Sequence, residues 1–233
     1  MDNVKLLDRV DTKFMFRADF IDAIFRRMKD DYYVLEISGK RYSHYETLYF
    51  DTDGFKLYML HHAGKLNRYK FRSRRYVESN LCFFEVKFKN SKGRTIKERI
   101  KRSDIVKEIS EQSEELVRSA SHVDPCQLRA KLWVNYQRIT FVNKHSQERL
   151  TLDTQLHFVD DNGKVGYEGI AIAEVKQGSG RDKSAFIDLM KQYRIKEKSI
   201  SKYCLGVISL HPEIKHNRFK PTLLYLNKLL KAS

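Results

Sequence analysis

In three consecutive segments of this chain a cation stands at almost every second position, and no other feature limits its fold as much. A strand turns successive side chains to opposite faces, so Lys70, Arg72 and Arg74 share one face of a first strand. In the next, Glu85, Lys87 and Lys89 oppose Phe84, Val86 and Phe88, and a third, from Thr95 to Arg99, sets Lys97 and Arg99 together. The 38 residues from Lys65 to Arg102 hold 14 Lys and Arg against 3 Asp and Glu, which is +11 of the chain's formal +15. A single basic strand face is most often a solvated sheet surface. Recurrence changes the balance, because like charges side by side on neighbouring strands repel and cost stability unless an anion neutralises them. The planar fork of arginine suits bidentate phosphate binding better than an ammonium does. A polyanion is the expected ligand.

The rest of the chain repeats the pattern. Leu6 to Phe16 reads as a strand with Arg9, Asp11 and Lys13 alternating against Val10, Thr12 and Phe14. Tyr42 to Asp51 reads as another, followed by a turn at Asp53-Gly54 and a short helix or loop from Phe55 to His61. Leu132 to Val142 and Glu148 to Phe158 form an expected antiparallel pair; Tyr136, Arg138 and Thr140 share one face, as do Arg149, Thr151 and Asp153. In Ile170 to Gln177, Glu174 and Lys176 alternate with Ala171, Ala173 and Val175. Apolar residues at helical spacing predict helices from Asp19 to about Lys29, from Ser103 or Asp104 through Arg118, from Asp182 through Tyr193, and roughly from Pro221 to Lys231. About eight strands with four helices outside them describe an α+β fold, whose antiparallel sheet can close into a barrel or tunnel. Alternate residues would then line the lumen: Arg9, Lys13, Arg72, Arg74, Lys87, Lys97, Arg99, Arg138, Arg149 and Glu174. Buried cations without partners are costly, so such a lumen must hold water, anions or both. The aromatic residues mostly alternate against the charges, as core residues do.

With 10 Gly and 3 Pro in 233 residues, no linker-like stretch divides the chain, and residues 1–233 are expected to form one domain. Cys82, Cys126 and Cys204 lie far apart without CxxC spacing, which argues against a disulfide framework or a zinc site. No apolar run approaches a bilayer span and the N-terminus lacks a signal-peptide core, so a cytoplasmic location is expected. A net charge of +15 favours nucleic acid, an anionic membrane or a phosphate-rich small molecule as partner.

The familiar catalytic motifs are missing: there is no GxxxxGK[ST], HExxH, GxSxG or strand-linked GxGxxG. The adjacent His61 and His62 would point apart in extended structure, which disfavours joint metal ligation. Phosphoryl transfer needs none of these. It needs Arg and Lys on the phosphates, a divalent cation held by one or two carboxylates, and an aligned attacking oxygen. Glu174, a lone acid on an inward face in basic surroundings, suits the metal. Glu85 is a second candidate, which can equally pair with a neighbouring cation.

The segments Arg9-Val-Asp-Thr-Lys13-Phe, Tyr49-Phe-Asp-Thr52, Asn67-Arg-Tyr-Lys-Phe-Arg72-Ser-Arg74-Arg-Tyr76, Phe84-Glu-Val-Lys87, Lys97-Glu-Arg99, Arg149-Leu-Thr-Leu-Asp-Thr154 and Ala173-Glu174-Val-Lys176 resemble, in this order, the VTC domain. That is the catalytic domain of the vacuolar transporter chaperone polyphosphate polymerases, within the triphosphate tunnel metalloenzymes. The resemblance implies a tunnel-shaped antiparallel barrel that moves the terminal phosphate of ATP onto a growing polyphosphate with Mn²⁺ or Mg²⁺. Position by position, it implies phosphate-binding cations at Lys13, Arg72, Arg74, Lys87, Lys97, Arg138 and Arg149, and a metal-binding acid at Glu174. Of the lysine pair near the end of the family pattern, Lys202 matches, while Lys198 stands one place out of register. Arg9-x-Asp11-x-Lys13 departs from the Glu-x-Glu-x-Lys of the tripolyphosphatase and adenylate cyclase branch, which favours the polymerase branch. Lys13, Arg72, Arg74, Lys87, Arg138, Arg149 and Lys202 are then the expected catalytic residues, with Lys97, Arg99 and Lys198 as further phosphate contacts. The domain is expected to stand alone, without the regulatory domain or membrane span of the vacuolar relatives.

In chain elongation the attacking group is a terminal phosphate, already ionised at neutral pH, so no general base is required and none stands out. A tunnel-type triphosphatase, or a binding module for polyphosphate or nucleic acid without catalysis, are the rival readings. ATP and inorganic polyphosphate, rather than nucleic acid, are the expected partners.

Overall fold

The computed structural model of the chain describes residues 9–178 and 183–231; Leu6, Asp182 and the side chain of Arg9, used above, lie outside the described residues. The strands are β1 (Arg9–Arg17), β2 (Tyr32–Val34), β3 (Ser43–Asp51), β4 (Arg68–Tyr76), β5 (Leu81–Lys89), β6 (Thr95–Arg102), β7 (Arg129–Asn143), β8 (Arg149–Asp160), β9 (Gly163–Tyr167) and β10 (Ile170–Gly178). The helices are α1 (Ile21–Met28), α2 (Lys56–His62), α3 (Glu111–Ala120), α4 (Ala185–Gln192), α5 (Lys202–Leu210) and α6 (Lys220–Lys231).

All the strands join one antiparallel sheet of ten, in the order β1-β10-β8-β7-β3-β4-β5-β6, with β2 added to β7 and β9 to β8. The fold is α+β as expected, but the sheet is not a closed barrel, since β1 and β6 end it without pairing. The free edge of β1 instead takes the chain at Glu197 and Lys198, where the Lys198 amide donates to the Lys13 carbonyl at 2.8 Å. Closure through β6 would set its lysine and arginine row beside the lysine of β1, a like-charge pairing that strands avoid. The two strands beyond the expected eight are β2, of only three residues, and β9, whose two glycines weaken its period-two signal.

The outward faces are apolar and carry two of the three core clusters described. Phe14 and Phe16 of β1, Leu150 and Leu152 of β8 and Ala171, Ala173 and Val175 of β10 bury against Phe186, Leu189 and Met190 of α4. Phe71, Phe84 and Val86 pack with Leu116 and Val117 of α3. Leu132 and Val134, on the inward parity of Tyr136, and Phe158, the register partner of Val134, instead pack with α5 and α6, in one cluster with the cavity-lining Tyr49 and Ile172. α5 comes very close to the sheet: a Cβ at Gly206 would lie 2.6 Å from both Leu132 Cδ2 and Phe158 Cδ1. Glycine at that position lets the helix seat.

Asp51, in the Tyr-Phe-Asp-Thr segment, fixes two helices at once. Its Oδ1 accepts from the Leu57 amide at 2.8 Å, while Oδ2 accepts from the Tyr58 amide at 2.8 Å and from the Tyr203 hydroxyl at 2.5 Å. A fully buried carboxylate thus holds α2 and α5 to β3 and sets the start of α5 against the sheet.

The helix expected from Ser103 or Asp104 begins only at Glu111. Asp104 accepts from the Ile105 amide at 2.6 Å and the Val106 amide donates to Ser73 Oγ at 2.8 Å, so side chains satisfy the backbone that a helix would use. The helix expected from Asp19 begins at Ile21, and Asp19 lies in the short 3₁₀ turn before it and pairs with Arg17. No helix among the described residues is long and apolar enough to cross a membrane.

Candidate active site: a cavity walled by cations

The sheet curves so strongly that inward side chains from β1 through β6 of its path meet around one cavity of about 580 Å³. Among the described residues its lining holds 13 Lys and Arg against 3 Asp and Glu, with no histidine. The parity read from the sequence places these groups: Lys13, Arg72, Arg74, Lys87, Lys97, Arg99, Arg138, Arg149 and Glu174 all line the cavity, and Lys202 reaches it from the first turn of α5.

The wall of β4, β5 and β6 is built around Glu85, which is 1% exposed. Arg72 Nε donates to its Oε2 at 2.6 Å, and Lys97 donates to its Oε1 at 3.2 Å. Burial works against the charge on Glu85, but Arg72 and then Arg74 outweigh it and hold the carboxyl well below its ordinary range. Both oxygens are therefore committed to cations. Lys87 lies beside this cluster and forms no ion pair of its own among the described residues. Burial, followed by the charges of Arg72 and Arg74, lowers its ammonium well below the usual lysine value. Here the cavity wants an anion most.

Arg74 donates through Nε to Thr47 Oγ1 and through Nη2 to the Tyr136 hydroxyl, each at 3.0 Å, and stacks over Tyr45 at 5.1 Å. Arg138 lies on the same ring at 5.0 Å and forks onto Asp153 at 2.5 and 2.7 Å. Lys202 shares that carboxylate. Its helix is capped by Ser201, whose Oγ accepts from the Cys204 amide at 3.3 Å and from Lys70 Nζ at 2.9 Å.

On the wall of β1 and β10, Glu174 is held by Lys13 through Oε1 at 3.0 Å and by Lys176 through Oε2 at 2.8 Å. Lys176 also reaches Asp11 at 3.2 Å. Burial again raises the Glu174 carboxyl, and Lys176 and Lys13 outweigh it, leaving it ionised far below the ordinary range. Arg99 and Arg149 are exposed towards the cavity, and Arg99 lies over the Phe83 ring at 4.4 Å. Lys198 points elsewhere, its ammonium 4.5 Å from the Tyr225 ring of α6, and does not line the cavity.

Several lining groups were absent from the expected site: Lys70, Lys176, Arg68 and Lys89, and above all the tyrosines Tyr45, Tyr49, Tyr76 and Tyr136. These aromatics sit among the charges and not behind them, because a phenol ring offers arginine both a π face and a hydroxyl. Their parity carried the signal, since Tyr76 follows Arg74 by two and Tyr136 precedes Arg138 by two.

No set of three Asp, Glu, His or Cys side chains gathers among the described residues as a metal cage. Glu174, with Asp11 beyond Lys176, offers one or two carboxylates on a cation-lined wall. That donor set fits a hard divalent ion that takes its other ligands from phosphates and water, as Mg²⁺ commonly does.

A family model of the VTC domain matches residues 8–211. No curated protein matches the chain. Among solved structures, a candidate adenylate cyclase from Vibrio parahaemolyticus is similar with a TM-score of 0.51 at 14% identity, over 85% of this chain and 99% of that one. A candidate adenylate cyclase from Bacillus halodurans gives 0.51 at 16% identity, over 83% and 94%. At such identities the likeness is one of fold. The VTC match runs from the start of β1 to the end of α5 and takes in every cavity residue described above, and the chain belongs to the VTC domain family.

Proposed function

We propose that this protein transfers the terminal phosphate of ATP to a growing inorganic polyphosphate inside the cavity, with residues 1–233 acting as one unit. The observation that carries the proposal is the excess of 13 cations over 3 acids on the cavity wall. Two polyanions must be brought together for elongation, and opposed rows of Arg and Lys remove the repulsion between them. A terminal oxygen of the acceptor attacks the γ-phosphorus of ATP, the bond from that phosphorus to the β–γ bridging oxygen breaks, and ADP leaves. No proton has to move. Paired cations outweigh burial and hold Glu85, Asp153 and Glu174 in their ionised form with lowered basicity, so they are poor bases for activating water.

Arg72, Arg74, Lys87, Arg138, Arg149 and Lys202 take the phosphate oxygens in this proposal, with Lys97 and Arg99 towards β6, while Lys13 and Lys176 orient Glu174. Glu174 would hold Mn²⁺ or Mg²⁺, whose charge stabilises the phosphoryl oxygens during transfer. Glu85, committed to Arg72 and Lys97, serves as their fixed counter-charge.

The test is incubation of the purified protein with ATP and Mn²⁺ or Mg²⁺, followed by gel separation of the products. A ladder of polyphosphate, with ADP formed in step, is expected. Free phosphate without polymer would assign the cavity to a triphosphatase, and absence of nucleotide turnover with either ion would leave it a binding module.

A further inference from the structure

The cation rows do not stop at the cavity. Arg68 and Lys89 are register partners at the end of the β4–β5 pair, and both line the end of the cavity. Like charges directly opposite on paired strands destabilise them. Arg68 Nη1 donates to the Lys65 carbonyl, which turns its guanidinium towards the bend that precedes β4. A third cation arrives there from a distant part of the chain. Arg218 lies in the short 3₁₀ turn Asn217–Phe219. The Phe219 ring packs on the rings of His61 and His62 at 6.1 and 5.7 Å, and the Arg218 amide donates to His62 Nε2 at 3.3 Å. Its guanidinium lies directly over Gly64, where a Cβ would stand 2.0 Å from Nη1. Gly64 has φ +70°, a conformation that favours glycine. None of Arg68, Lys89 and Arg218 forms an ion pair with a carboxylate among the described residues. His61, beside them, is half-buried; desolvation first, then the charges of Lys70, Arg68, Lys89 and Arg218, push its ring down to about 2 and keep it neutral.

We propose that Arg68, Lys89 and Arg218 form an anion-binding rim that grips the stretch of polyphosphate emerging from the cavity. The proposal rests on the polyphosphate reading above and extends it from the cavity to the outer surface. A chain longer than the cavity must emerge, and each internal phosphate carries a negative charge out with it. The rim meets that charge with groups that have no counter-ion of their own. Arg218 also lies beyond residues 8–211, so the match to the VTC family does not itself account for the third cation.

Calorimetric titration of the full chain with inorganic tripolyphosphate and with long-chain polyphosphate tests the rim. Arg218→Gln should weaken long-chain binding about fivefold, and Arg218→Glu more. Arg218→Gln should also reduce the slope of log affinity against log salt by about 0.7, as for one phosphate contact on a flexible polyanion. Tripolyphosphate affinity and melting temperature should stay at the wild-type values, and Arg218→Lys should keep most of the long-chain affinity. Wild-type long-chain binding in both Arg218→Gln and Arg218→Glu, or an equal loss for both ligands, would overturn the rim while leaving the cavity reading intact. If wild-type protein binds neither ligand, the functional reading falls and the rim falls with it.

Discussion

Lys13 and Glu174 stand opposite each other in the β1–β10 register, and the ammonium of one closes on the carboxylate of the other at 3.0 Å. The other carboxylate oxygen is taken by Lys176, so in the ligand-free protein the charge of Glu174 is fully spent on lysines. In the proposed reaction, phosphates that took those ammonium groups would leave Glu174 as the residue to hold a divalent ion. Glu174→Gln should therefore bind tripolyphosphate in the absence of metal at least as well as wild type, yet lose about 10²-fold or more in turnover. Metal-free calorimetry beside an ADP-release assay measures both. Turnover within a few-fold of wild type would remove Glu174 from the reaction.

Glu85 faces the same cavity but answers a different need. It is 1% exposed and tied to Arg72, itself 7% exposed, so its removal leaves a buried guanidinium without its counter-charge. Glu85→Gln should cost about 3–5 kcal/mol of stability, seen as an early urea midpoint. Saturating tripolyphosphate should recover part of the loss, because an anion that binds only the folded state stabilises it by mass action. A variant as stable as wild type would show that Arg72 finds other compensation.

Period-two parity made the cavity wall legible, because the same alternation that turns Lys70, Arg72 and Arg74 inward turns Phe71 and Ser73 into buried positions behind them. What parity cannot show is how far a sheet bends or whether its ends meet. Whether β1 meets β6 depends on tilt and on the segment at Lys198 that takes the β1 edge. Nor does alternation separate a cation that faces substrate from one that serves a carboxylate; Arg138 and Asp153 lie on different strands, and only their register partnership reveals the fork. The late start of α3 depended on Ser73, some thirty residues earlier, accepting from the Val106 amide. The rim at Arg218 depended on a turn packing onto α2 from the far end of the chain.

Lys87 should give the ligand-free protein an unusual alkaline response. Its folded value lies well below the ordinary one, whereas in the unfolded chain it titrates near about 10.4. Between those two values the unfolded chain binds more protons, so stability rises with pH there. Below the folded value the full cost of the buried ammonium is present. The buried tyrosines Tyr136 and Tyr203 are raised and act in the opposite sense at high pH, so the useful quantity is the difference between wild type and Lys87→Met. That variant should be more stable by about 1–2 kcal/mol at neutral pH, with the gap closing as pH rises, and should bind tripolyphosphate about tenfold more weakly. A gap that does not change with pH would mean that Lys87 keeps an ordinary value.

Thr151 offers the sharpest separation of stability from function. It is 3% exposed, faces Glu174 in the β10–β8 register, and its hydroxyl has no hydrogen-bond partner among the described residues. An unpaired buried hydroxyl costs stability, and replacing it by a methyl group of the same shape removes that cost. Valine also keeps the β-branched form that suits a strand. Thr151→Val should raise stability by about 1 kcal/mol, a shift of about 2–4 °C in melting temperature for a chain of this size. The same change takes a hydroxyl donor from the cavity wall beside Glu174, so tripolyphosphate affinity should fall a few-fold, while Thr151→Ser should retain it. Calorimetry and thermal unfolding on the two variants read both effects. Lower stability in Thr151→Val would mean that the hydroxyl is already satisfied in the folded protein, and unchanged affinity in both variants would mean that phosphate never reaches it.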